Sequence, residues 1–311
     1  MRNIDKTDLS VFPLCLGGNV FGWTADRDTS FAVLDAYAEA GGNFIDTADS
    51  YSAWIPGNEG GESETIIGEW MAERGNRDSL VVATKVGQQP GAEGLSAANI
   101  RSSAEGSLRR LRTDRIDLYY AHSDDRGTPL EETLTAFDEL VREGKVRHIG
   151  ASNYEADRLE EALAVSDRLG LARYVALQQH YNLVEREEYE GRLEEVVARA
   201  GLSSVPYFAL AKGFLTGKYR PGVSVDSARA GGASPYLQTE RGRRVLEALD
   251  KVAANHGVEA TTVALAWLLT RPTVAAPIAS ARVPEQVPAL VAAADLVLSP
   301  EEVRLLDEAS A

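Results

Sequence analysis

Short apolar, β-branched runs alternate with longer segments of helical period along most of this chain. The runs are FPLCLGG (12–18), NFID (43–46), LVVATK (80–85), IDLYYAH (116–122), VRHIGAS (146–152), YVALQ (174–178), SSVPYFAL (203–210) and TVAAPIA (273–279). Each is short enough for a strand and apolar on both faces, as buried parallel strands are. The segments between them predict helices. TSFAVLDAYAEA (29–40) puts Phe31, Leu34 and Ala38 on one face and stops at Gly41-Gly42, a left-handed end. A second helix is predicted from the capping pair Ser63-Glu64, with Ile66, Ile67 and Trp70 inward. Further helices start on Ser96, a good N-cap, and on Pro129. Segments 154–170 and 188–201 end on Gly170 and Gly201.

Strand and helix repeat every ~30 residues, the size of a βα unit with its loops. Eight strand candidates in 311 residues predict one single-domain (β/α)8 TIM barrel over residues 1–311. The rival is a doubly wound open sheet, which binds a dinucleotide through a glycine-rich turn after its first strand. Gly17, Gly18 and Gly22 do not form G-x-G-x-x-G. The longest irregular stretch is Lys218–Gln238, after strand seven. A loop of that length in a compact domain suits a cover over a site.

Charge narrows the partners. The net charge is -15, which repels phosphate backbones and anionic lipid, so neither nucleic acid nor membrane is expected. A ligand phosphate would need its own pocket of Lys or Arg. The single cysteine, Cys15, forbids an internal disulfide and reads as a core residue. MRNIDKTDLS at the N-terminus lacks the apolar centre of a signal peptide, and no apolar stretch of about 18 residues is uninterrupted. The expected location is the cytoplasm and the expected state a monomer; no metal site is expected.

In such a barrel the chemistry gathers at the C-terminal ends of the strands. Strand two ends on Asp46, with Tyr51 in the loop beyond. Strands three and four end on Lys85 and His122, strand five on Ser152 and Asn153, strand six on Gln178, and strand seven carries Tyr207. Each alone also suits a plain structural role, as a turn cap, a solvated lysine, a core histidine or a loop aromatic. Together they fall at successive strand ends.

These residues resemble the aldo-keto reductases. The family's Asp-Thr-Ala-x-x-Tyr is met by Asp46-Thr47-Ala48-Asp49-Ser50-Tyr51. Its strand-three lysine matches Lys85 and its strand-four histidine matches His122. Gly150-Ala151-Ser152-Asn153 and Gln178 match further motifs, and LAKGFLTGKY resembles the cofactor loop. The resemblance runs from LCLGGNVFG to SARVPEQV. It implies NAD(P)H-dependent reduction of a small-molecule carbonyl, with Asp46, Tyr51, Lys85 and His122 catalytic.

On that reading Tyr51 is the general acid. A free phenol has a pKa of about 10. An ammonium ~4 Å away at an effective dielectric of ~20 favours the phenolate by roughly 4 kcal/mol. That field predicts a phenol near neutrality, less whatever Asp46 offsets while keeping Lys85 charged. His122 would orient the carbonyl oxygen. The resemblance further implies that Ser152, Asn153 and Gln178 hold the nicotinamide carboxamide and that Tyr207 stacks on its ring. Phe208, Leu210, Gly213, Leu215, Gly217 and Lys218 would form the pyrophosphate loop. Ser280, Arg282 and Gln286, before and within a helix start, would take the adenosine 2′-phosphate, so NADPH is expected. The chain departs from the family at Val283, where many members have Thr, and at Ala289 and Leu290, where many have Glu then Asn at the adenine end. Phe21, Trp23 and Trp54 are expected to wall the substrate pocket. Two competing readings are a slow-turnover NADPH-holding redox sensor and a Schiff-base aldolase using Lys85, which needs a neutral lysine.

Overall fold

The computed structural model describes residues 1–5 and 7–311. Eight parallel strands form one sheet. They are β1 Cys15–Gly17, β2 Phe44–Asp46, β3 Val81–Val86, β4 Ile116–Ala121, β5 Val146–Ser152, β6 Tyr174–Gln178, β7 Ser203–Ser204 and β8 Ile278–Ala279. Their order is β7-β6-β5-β4-β3-β2-β1-β8. Ser204 spans the remaining gap: its N–H donates to Thr273 O at 2.7 Å, and Ala275 N–H donates to Ser204 O at 2.9 Å. The sheet thus curls into a (β/α)8 barrel.

The alternation of strand side chains gives two apolar layers. Inward residues such as Cys15, Phe44, Ala83, Leu118 and Ala176 pack with Ile4, Leu9 and Val11 of an N-terminal hairpin. Outward residues such as Leu16, Ile45, Val82 and Tyr119 pack under the helices. No helix among the described residues is long and apolar enough to cross a membrane.

Several boundaries differ from the sequence pattern. Helix α1, Arg27–Glu39, starts before Thr29 because Asp26 caps it, accepting from Thr29 N–H at 2.9 Å. Helix α2, Glu62–Arg74, is preceded by Gly61 with no side-chain cap. Ser63 instead donates to Gly18 O at 2.8 Å. Residues 188–191 are turns ahead of the next helix, Arg192–Ala200. The run 203–210 keeps only two strand residues, since Pro206 has no N–H to give a ladder and Phe208 turns left-handed at φ 50°. The covering loop is irregular only to residue 229, because Ala230–Gln238 is helical.

Candidate active site

Alternation on β3 sends Val81 and Ala83 into the inner core and places Lys85 above them, fully buried. An ammonium has three donors. Lys85 Nζ uses them on Asp46 Oδ2 at 2.7 Å, Thr47 O at 2.7 Å and Tyr51 Oη at 2.9 Å. Tyr51 Oη also lies 3.4 Å from Asp46 Oδ2, and Gln178 Nε2 donates to Asp46 Oδ1 at 2.8 Å. Burial is the largest influence and opposes a charge on Lys85, but Asp46 and Tyr51 together outweigh it and the pKa is raised.

Tyr51 departs from the expectation of a phenol near neutrality. Burial pushes it up to about 12, because loss of water exceeds the pull of Lys85 and Asp46 cancels part of that pull. His122 Nδ1 is buried with no hydrogen-bond partner among the described residues. Burial and then the Lys85 charge hold its pKa well below the usual histidine range. The imidazole is therefore neutral, a hydrogen-bond donor beside Tyr51 rather than an acid.

Asn153, just past β5, is left-handed at φ 56°, a conformation that asparagine tolerates. Its amide N–H groups donate to His122 O at 2.9 Å and Ser152 Oγ at 3.1 Å, and its oxygen accepts from Tyr207 OH at 2.7 Å. One side chain thus ties the ends of β4, β5 and the segment after β7. Tyr207 stacks on His180 with ring centroids 5.4 Å apart and planes 14° apart.

A cavity of about 1030 Å³ opens above this cluster, at the large end of the ~300–1,000 Å³ usual for ligand sites. Asp46, Tyr51, His122, Ser152, Asn153, Gln178 and Tyr207 line its inner part. Trp23 and Trp54 line its mouth, edge to face at 5.6 Å, and Trp54 lies 6.2 Å from the Tyr51 ring. Ser227, Ala228, Arg229 and Gly232 of the covering segment complete the wall.

Four cations line the same cavity: Lys212, Lys218, Arg229 and Arg282. None has an ion-pair partner among the described residues. Arg229 sits 5.4 Å from the Trp23 ring and 5.5 Å from that of Phe208. Burial, then the charges of Arg282 and Arg229, hold Lys218 below the usual lysine range. In a chain of net charge -15 such a cluster is complementary to a polyanion. Phe208, Ala211 and Lys212 are non-glycine residues held at φ 50°, 47° and 58°, strain of the kind stored in functional loops. These features fit a phosphate-bearing dinucleotide.

Not every expected residue lies at the cavity. Phe21 is fully buried in the core, because the chain folds back from it to Ala25 around Gly22 at φ 75°. Leu215 is also core, and neither it nor Gly217 lines the cavity. Phe208, Leu210, Gly213, Ser280 and Gln286 do. The helix start expected after Arg282 is a short turn, Pro284–Gln286, then five helical residues, Val287–Val291. Arg282 N–H donates to Gln286 Oε1 at 2.8 Å, so anion attraction there rests on the guanidinium. Lys212, Arg229, Asn19 and Gln88 also line the cavity without having been expected. Asn19 accepts from Ser280 Oγ at 2.7 Å. Lys212 stands within LAKGFLTGKY; Arg229 has no sequence signal beyond its charge in the covering segment.

The model of the aldo/keto reductase family matches residues 13–311. The chain is 36% identical over 315 residues to the uncharacterized oxidoreductase YrpG of Bacillus subtilis, covering 98% of this chain and 94% of that one. It is 34% identical to norsolorinic acid reductase of Aspergillus flavus, covering 96% and 78%. It is 32% identical to aryl-alcohol dehydrogenase [NADP(+)] of Phanerodontia chrysosporium, covering 96% and 83%.

Proposed function

The chain belongs to the aldo/keto reductase family and is an oxidoreductase, and from that premise we propose that it reduces an aldehyde or ketone with NADPH, with Tyr51 as proton donor. The observation that carries this reading is the buried Asp46–Lys85–Tyr51 contact beneath a cavity lined by four cations that have no ion-pair partner among the described residues. When bound, the reduced nicotinamide supplies the hydride. Tyr51 holds its proton until the carbonyl oxygen gathers charge. Lys85 then stabilises the phenolate left behind, and Asp46 keeps Lys85 charged. His122, neutral, donates a hydrogen bond to the carbonyl oxygen. The Ser152 hydroxyl and Gln178 Oε1 serve the carboxamide, and the Tyr207 ring takes one nicotinamide face.

Charge supports NADPH over NADH. A pyrophosphate and a 2′-phosphate bring close to four negative charges, the latter nearly two at neutral pH. Glu259 and Glu285 line the same cavity as the four cations, so the preference rests on where Arg282 stands rather than on the sum of charges. Lys218 and Arg229 suit the pyrophosphate, and Arg282 with Ser280 and Gln286 suits the 2′-phosphate. The mouth of Trp23 and Trp54 favours a planar aromatic carbonyl, in keeping with the name of the aryl-alcohol dehydrogenase among its relatives. A Schiff-base aldolase is disfavoured, since Lys85 is charged and all three of its donors are engaged. A slow redox sensor of the same fold would use the same proton-donor set, and the rate of NADPH oxidation separates the two readings.

The test is cofactor absorbance with purified protein and a panel of aryl aldehydes and ketones. Carbonyl-dependent NADPH oxidation is expected. Absence of both turnover and NADPH binding would overturn the proposal.

A further inference from the structure

The outer end of the cavity is built where the first turn of the helix Ala260–Leu269 meets the short helix Val287–Val291. Glu259, Thr261, Ala289 and Leu290 line it together. Thr262 Oγ1 donates to Ala289 O at 2.7 Å and fixes the two helices to each other. On the side of helix 287–291, Ala289 and Leu290 offer apolar surface and no side-chain donor or acceptor. A flat base can pack there, but its edge cannot be read from there. On the side of helix 260–269 stand a hydroxyl and a carboxylate. Thr261 is only 5% exposed. Glu259 is exposed at the N-terminus of that helix, with no side-chain cap hydrogen bond and no ion-pair partner among the described residues.

We propose that Glu259 and Thr261 read the 6-amino edge of the cofactor's purine. The inference rests on the NADPH reading above and places base recognition at the start of helix 260–269. A carboxylate only accepts, so it selects a ligand edge that donates. The hydroxyl donates, so it suits a ring nitrogen beside that donor. An exocyclic amino group flanked by a ring nitrogen is the edge of adenine. The charge of Glu259 also repels phosphate, which leaves the 2′-phosphate to Arg282. A 6-oxo purine in the same place would set its oxygen against the carboxylate.

The experiment compares NADPH with its hypoxanthine analogue, which carries a 6-oxo group, by fluorescence titration of the intact protein. The wild-type protein is expected to bind NADPH about 10-fold more tightly, the scale of one hydrogen bond to a charged group. E259A should bring the ratio to within about 2-fold by weakening NADPH. E259Q should bring it down by tightening the analogue, because a carboxamide N–H donates to a 6-oxo group; a merely structural role for Glu259 would not produce that gain. Equal affinities in the wild-type protein, or a ratio that survives E259A, overturn the inference and leave the cofactor reading intact. No binding of NADPH overturns both.

Discussion

Nζ of Lys85 stands 2.9 Å from the phenolic oxygen of Tyr51, yet the phenol is less acidic than tyrosine in water. The same ammonium holds Asp46 Oδ2 at 2.7 Å. Tyr51 therefore faces a compensated pair rather than a bare cation, and the loss of water decides the balance. The phenol keeps its proton across the physiological range, as a donor should.

Tyr51→Phe should lower kcat at least about 100-fold, the scale of positioned acid catalysis, with the NADPH Kd almost unchanged. The acid form is lost only as pH rises through about 12. For the wild-type enzyme, kcat of reduction should thus be flat from about pH 6 to about pH 9. Stopped-flow rates that fall through neutrality would contradict a phenol held so high.

Lys85 and Asp46 should behave as one unit. Lys85→Met should remove most activity, and adding Asp46→Asn should cost little more, since both act through one phenol. Asp46→Asn alone leaves a buried ammonium without its counter-charge, at about 3 kcal/mol or more of stability. Combining it with Lys85→Met should recover much of that loss in urea denaturation. Multiplying kinetic losses, or additive stability losses, would refute the coupling.

Arg282→Ala should weaken NADPH by about 10- to 150-fold, the worth of a charge-assisted hydrogen bond to phosphate, and leave NADH nearly unchanged. Arg229→Ala should weaken both cofactors by similar factors, because the pyrophosphate is common to them. Titration of the two variants with the two cofactors gives the four Kd values needed. A loss shared by both cofactors in Arg282→Ala would place the 2′-phosphate elsewhere.

Asp49 is 2% exposed, and neither of its oxygens has a hydrogen-bond partner among the described residues. Burial, then the nearby Glu64 charge, raises its pKa from 3.8 to about 7, with Arg110 opposing. A carboxyl raised on folding binds its proton better in the native state, so its contribution is full below the unfolded pKa. It is lost as pH rises from about 4 to about 7, by up to ~4 kcal/mol. Asp49→Asn should therefore stabilise the protein by roughly 2–4 kcal/mol at pH 8 and hardly at all at pH 4. Equal denaturation shifts at the two pH values would show that the group is not raised.

The inner site is legible in the sequence because a strand end is both a chain signal and a place. Asp46, Lys85, Ser152 and Gln178 each close an apolar run, and the barrel gathers those endings, three of them in the cavity floor and Lys85 buried beneath it. Tyr51 and His122 follow within a short loop. The acidity of Tyr51 is not legible, since it depends on how much water the fold removes. Phe21 was misplaced because a tight turn, not a period, decides which way its ring points. Arg229 lies in a stretch with no period at all, and only the packing of that stretch over Trp23 and Phe208 brings its charge to the cavity. The run 203–210 looked like a full strand by composition, but its proline and left-handed phenylalanine take the chain out of the ladder.

Four cations at one aperture of a body with net charge -15 also shape how a ligand arrives. The net charge disfavours a polyanion away from the aperture, and the cations attract one near it, so capture is oriented before contact. The reach of this guidance is about 8 Å at physiological ionic strength. Added salt should slow arrival while leaving departure nearly untouched. Occupancy of the aperture by a polyanionic ligand would then fall as the ionic strength of its surroundings rises.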